Sequence, residues 1–120
     1  MLSELKDSLP VAQVTDMAKI EFAMLRHAYN RGRGDHAIQN LIEMLDEKNE
    51  AVNLMDPLLR AECYISLGMW EKETAENNGK GLDYEHVISR FEKATKCNPS
   101  SKEAWHYFAM LNYEAAQYYD

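Results

Sequence analysis

Apolar side chains recur at helical spacing in five stretches of the chain, and no stretch alternates in the way a half-buried strand does. The clearest stretch places Ile38, Leu41, Ile42 and Leu45 at positions i, i+3, i+4 and i+7, with acidic residues on the opposite face. Five helices joined by short turns are expected to pack as antiparallel hairpins. The pattern therefore predicts an all-α fold.

Capping residues mark where these helices are expected to begin. The predicted N-terminal caps are Thr15, Asp35, Asp56 before Pro57, Asp83, and Ser100 with Glu103 three residues later. The predicted ends are the glycine-rich turn at 31–34, Gly68 as a left-handed C-terminal cap, and Asn98-Pro99. Residues 1–14, interrupted at Pro10, form a partial leading segment, residues 15–120 the helical domain, and 77–81 a flexible loop.

The last predicted helix, 101–120, is apolar over most of its circumference. Trp105, Phe108, Ala109, Ala116 and Tyr119 form one stripe, and a second apolar stripe lies beside it. A helix of this kind needs neighbours on two sides. We therefore expect it to be covered both by preceding helices and by something beyond them.

The overall composition narrows the class of protein. The 120 residues form one domain of modest core size, with a formal net charge of -7 that disfavours nucleic acid and anionic membranes as partners. No apolar run reaches the roughly 20 residues of a membrane span. Cys63 and Cys97 lack metal-ligand spacing, which favours a reducing, cytoplasmic location.

Two glycines suggest an internal repeat. Gly34 and Gly68 lie 34 residues apart, the tetratricopeptide period. The large, small, proline and tryptophan positions of that repeat fall on Phe91, Ala94, Pro99 and Trp105. The pattern favours hairpins stacked as a tetratricopeptide-like α-solenoid, although an insertion of roughly 14 residues follows Trp70. A generic helical bundle is the alternative.

Chemistry-bearing motifs are weak throughout the chain. Glu103 and His106 have the Glu-x-x-His spacing of di-iron bundles, but those sites need a second copy and two further glutamates. Gly79-Lys80-Gly81 lacks the surrounding residues of a phosphate-binding loop. No nucleophile elbow or kinase catalytic loop is found. We therefore expect no catalytic residue, no metal and no cofactor.

Two segments carry a more specific resemblance. The run Glu103-Ala-Trp-His-Tyr-Phe-Ala-Met-Leu-Asn-Tyr-Glu-Ala-Ala116 resembles a helix of the FAT domain in target-of-rapamycin kinases, which belong to the phosphatidylinositol-3-kinase-related kinases. Upstream, the segment 59–70 is similar to the helix and Leu-Gly-x-Trp turn of that domain. The likeness extends over about residues 14–118.

The resemblance implies a scaffold role. FAT helices clamp a serine/threonine kinase domain and contribute to partner assembly, so the expected partners are that kinase domain and neighbouring helical repeats. Some family members bind an inositol polyphosphate between these helices. At the matching positions this chain has Glu62, Ser66 and Glu103 in place of basic residues, so that ligand is not expected here.

The residues expected to hold successive hairpins together are aromatic or small. They are Gly34, Gly68, Trp70, Phe91, Ala94, Pro99, Trp105, Phe108, Ala109 and Tyr113. The alternative function is a free-standing tetratricopeptide-like adaptor that binds a peptide in a groove, with Asn30 as a candidate contact. An adaptor would end in a helix with a polar outer face, whereas the last helix here is apolar.

Overall fold

The computed structural model describes residues 10–119, and every regular element in that range is a helix. The elements are α1 (Pro10–Asn30), α2 (Gly34–Met44), α3 (Glu50–Leu54), α4 (Pro57–Asn77), α5 (Tyr84–Cys97) and α6 (Lys102–Tyr119). The prediction of an all-α fold is confirmed. The chain divides into two compact units, the first ending at Arg60 and the second beginning at Ala61.

In the first unit, α1 packs against α2 and against the short α3. The buried side chains of α1 are Thr15, Ala18, Phe22 and Leu25, which recur every three or four residues and so share one face. Ala37 and Leu41 of α2, with Leu45 directly after its end, form the matching buried stripe. The turn between the two helices contains Gly32 at φ 89°, a left-handed conformation that glycine adopts at little cost.

The start of α1 differs from the sequence-based prediction. Residues 10–14 are helical and continuous with the rest of α1, while residues 1–9 of the predicted leading segment lie outside the described residues. Thr15 is therefore not an N-terminal cap. Its buried hydroxyl oxygen instead accepts a hydrogen bond of 3.0 Å from the backbone N–H of Asp56, which precedes α4. The Thr15 hydroxyl, which the local sequence pattern predicted to be a helix cap, thus makes a long-range hydrogen bond instead.

The caps of the other helices follow the predictions in part. Asp56 accepts from the N–H of Leu58 and Asp83 accepts from the N–H of His86, as predicted. Asp35 lies in the first turn of α2 and does not cap it. The cap of α6 is one residue later than predicted, because Ser101 Oγ accepts from the N–H of Ala104 at 3.1 Å.

One helix was missed. The side chain of Asn49 caps α3 by accepting a 3.0 Å hydrogen bond from the N–H of Ala51. The five residues of α3 are too few to show helical periodicity, which explains why the pattern did not reveal it. Val52 in α3 and the adjoining Met55 are both buried, so this short helix contributes to the core of the first unit.

In the second unit, α6 packs against α5, and α4 supplies the third layer. Its largest fully buried side chains are Cys63, Leu67, Val87, Phe91 and Leu111. Gly68 lies in the middle of α4 and does not end it, contrary to the prediction. The helix continues through Trp70 to Asn77, so part of the expected insertion is helical, and the connecting loop covers residues 78–83.

Candidate interaction surfaces

In the second unit, α4 approaches α5 closely at Gly68. A Cβ atom placed on Gly68 would lie 2.7 Å from Cε2 and 2.8 Å from Cζ of Phe91. Phe91 is completely buried, and its ring stacks on that of Tyr107 in α6, with 5.3 Å between the ring centroids. A single ring therefore contacts all three helices of the unit. The φ angle of Gly68 is not positive, so its backbone conformation does not require glycine. Glycine is needed here because it lets α4 and α5 approach each other closely.

A charged cluster lies along the same α4–α5 contact. Arg90 Nε donates a 2.9 Å hydrogen bond to Oε1 of Glu71, and His86 Nε2 lies 2.8 Å from Oε2 of the same carboxylate. The side chains of Glu71 and Arg90 are only 14% and 15% exposed. Limited exposure makes this ion pair stronger than a surface pair, because water screens it less. The cluster joins α4 to α5 through charge as Phe91 does through packing.

Lys72 extends the charged contacts toward α6. The pKa of Lys72 is raised from its ordinary value of 10.5 mainly by its hydrogen bond to Glu76, one turn later on α4. The charge of Glu114 on α6 acts in the same direction. Carboxylates on two helices thus favour the charged form of Lys72.

The predicted packing residues are placed in two different ways. Gly68, Trp70, Phe91 and Ala94 are buried in the second unit, whereas Gly34 contacts the ring of Tyr29 in the first. The remaining five lie near the surface of α6 or just before it. Trp105 is 48% exposed, and its indole N–H donates a 2.8 Å hydrogen bond to the carbonyl of Pro99. Its ring contacts the ring of Phe108, which is half-buried. Ala109 and Tyr113 are exposed. The role of these five in joining hairpins remains a proposal.

Large apolar side chains are exposed on four of the described helices, most of them on α1 and α6; the others are Leu54 of α3 and Leu58 and Met69 of α4. On α1 they are Met17, Ile20 and Met24, which recur at helical spacing and form one stripe. On α6 they are Trp105, Tyr113, Tyr118 and Tyr119. Apolar side chains that share one exposed helix face, as Met17, Ile20 and Met24 do, are typical of protein contact sites.

Sequence reasoning missed the Glu71–Arg90 pair and the Thr15–Asp56 hydrogen bond. The two partners are separated by 19 and 41 residues respectively, so no local periodicity reports either contact. The only available signals were an acidic residue on one predicted helix and a basic residue on the next. Because any charged helical hairpin contains such residues, they did not indicate which two would pair.

Other kinds of site receive no support within residues 10–119. No three histidine, cysteine, aspartate or glutamate side chains there are grouped closely enough to hold a metal ion. None of the described helices has the length and apolar character needed to cross a membrane. Glu62 and Glu103 are exposed and Ser66 is half-buried.

Comparison with known proteins identifies the family. The FAT domain family matches residues 1–120, the whole chain. The serine/threonine-protein kinase mTor of Drosophila melanogaster is 29% identical over 68 residues, which cover 57% of this chain and 3% of that relative. No solved structure matches significantly. These findings agree with the resemblance carried by the segments 59–70 and 103–116. Since the family match extends over its entire length, the protein belongs to the FAT domain family.

Proposed function

We propose that this chain is a non-catalytic helical scaffold within the FAT domain of a target-of-rapamycin-type serine/threonine protein kinase. In this role its hairpins stack against neighbouring helical repeats and help to clamp and support the kinase domain, in the cytoplasm. The family match over residues 1–120 carries the proposal. The similarity to mTor favours this branch of the family.

The distribution of side chains supports a scaffold. The buried groups of the second unit are used for packing, as in the contact between Gly68 and Phe91. Most of the exposed large apolar groups lie on α1 and α6, and covering them would require further helices. Each such large side chain would contribute about 1.5–3 kcal/mol when fully buried. Several of them together can stabilise an interface with adjoining repeats.

Cross-linking of the parent protein tests this proposal. The full-length protein would be purified and treated with a lysine-reactive cross-linker, and linked peptides identified by mass spectrometry. We expect the exposed Lys96 at the end of α5, or the exposed Lys102 at the start of α6, to link to lysines of a kinase catalytic domain in the same polypeptide or to adjoining helical repeats. A reading frame that encodes no kinase domain would refute the proposal, and so would links confined to the chain itself.

A further inference from the structure

We propose that a cleft in the first unit binds a lysine or arginine side chain flanked by aliphatic residues on a segment of a partner protein. The cleft has a volume of about 310 Å³ and lies among α1, α2 and α3. Its apolar walls are formed by Val14, Met17, Ala18, Met44, Val52 and Met55. This inference extends the proposed scaffold role. It rests on that role only because it requires a protein partner.

The floor and rim of the cleft differ in accessibility. Val52 and Met55 are buried at its floor, whereas Met17 is 62% exposed at its rim. Three of the apolar lining residues are methionines, whose flexible, polarisable side chains adapt to the shape of a ligand. The cleft is therefore suited to an aliphatic stem.

The polar groups of the cleft are complementary to a cation. Glu21 and Glu43 line it together with Asn40 and Asn49, and no lysine, arginine or histidine does. Among the residues that the structure describes, the Glu21 carboxylate forms no ion pair. Asn40 donates its amide N–H to the carbonyl of His36, which leaves its Oδ1 as an acceptor. Carboxylate and amide oxygens beside an apolar wall favour a donor that is positively charged.

The volume of the cleft selects the size of the occupant. It is at the lower end of the range of about 300–1,000 Å³ found for ligand pockets, so it fits one long side chain rather than a helix. Lysine and arginine bury their aliphatic stems while the charged head remains near polar groups. The stripe Met17, Ile20 and Met24 continues from the rim along α1 and can receive the flanking aliphatic residues.

A peptide titration tests the inference. The probe is the acetylated and amidated peptide Ala-Leu-Arg-Leu-Ala, added to the ¹⁵N-labelled 120-residue chain, with the same peptide carrying glutamate in place of arginine for comparison. We expect the arginine peptide to shift the backbone amide signals of Ala18, Asn40 and Val52, and the glutamate peptide to leave them unchanged. Glu21→Lys should weaken binding at least about fivefold, because one attraction becomes a repulsion.

Two variants keep the result interpretable. Glu103→Lys changes the net charge equally at an exposed position on α6 and should leave binding unchanged. Glu21→Gln, a milder change, should weaken binding without altering the thermal melt. Equal binding of both peptides, equal loss in Glu103→Lys, or shifts confined to other residues would overturn the inference. Cross-linking of the parent to a kinase domain would be unaffected by these outcomes, so the two proposals fail separately.

Discussion

Gly68 of α4 lies directly against the ring of Phe91 of α5, at a separation that leaves no room for a Cβ atom. The ring cannot easily move away, since Phe91 is completely buried and is stacked on Tyr107. The spacing of these two helices therefore depends on the absence of a side chain at position 68.

Valine at position 68 should destabilise the second unit. Overpacking a filled core costs about 1–3 kcal/mol or more, which exceeds the gain of a few tenths of a kcal/mol in helix propensity when glycine is replaced by valine. We expect Gly68→Val to lower the free energy of unfolding by about 2 kcal/mol in urea denaturation. The matched control is Gly81→Val in the 78–83 loop, where nothing lies within 4 Å of the added Cβ atom. Equal losses in the two variants would contradict the packing account.

Gly68 also shows how far the sequence determined the fold. Helical periodicity predicted the class of fold and the long helices, and the short-range caps of Asp56 and Asp83 were found because each acts within three residues. Glycine, however, serves either a left-handed turn or close approach, and only the position of Phe91 decides between them. Thr15 was misassigned for the same reason, since its partner Asp56 is distant in sequence.

The exposure of α6 was the other point that the sequence left open. The stripe containing Trp105, Phe108 and Ala109 predicted a helix covered on two sides. In the structure Ala104 and Leu111 are its buried residues, while Trp105 lies at the surface. Periodicity shows that a helix has an apolar face, but not which neighbour covers that face.

The charged cluster on α4 and α5 should contribute more to stability than the exposed ion pair on α4. Glu71→Gln weakens the charge-assisted hydrogen bond to the largely buried Arg90 and should cost about 1.5–3 kcal/mol. Glu76→Gln removes an exposed i,i+4 pair with Lys72 and should cost about 0.3–0.5 kcal/mol. Urea denaturation of both variants measures the difference. A loss in Glu76→Gln as large as that in Glu71→Gln would be inconsistent with this ranking.

The contribution of the Thr15–Asp56 hydrogen bond to stability can be measured with an isosteric substitution. Thr15→Val leaves the Asp56 N–H without its acceptor, so we expect a loss of about 1–3 kcal/mol. Thr74→Val on α4 is the control and should change stability by less than about 0.5 kcal/mol. Amide hydrogen exchange at Asp56 should be faster in Thr15→Val. Unchanged exchange there would rule out the side-chain acceptor.

Lys72 should give stability a specific dependence on alkaline pH. Its pKa is raised in the folded state by Glu76, so its contribution is complete below the ordinary value of 10.5 and is lost as the pH rises through the folded value. We expect the stability difference between the wild type and Lys72→Met to be constant from about pH 8 to about pH 10 and to shrink above that range. Denaturation curves at several pH values measure it. If the stability difference between the two proteins widened above pH 10.5, the pKa of Lys72 would be lowered by folding and not raised.

The central claim is that this segment supports a kinase through the packing of its helices. The most direct measurement is the specific kinase activity of the full-length parent protein carrying Gly68→Val, compared with the same protein carrying Gly81→Val. We expect activity per mole of purified protein to fall in Gly68→Val and to be unchanged in Gly81→Val, because a Cβ atom at position 68 forces α4 and α5 apart whereas one at position 81 meets nothing within 4 Å. Full activity in Gly68→Val, together with a demonstrated loss of stability of this segment, would contradict the claim.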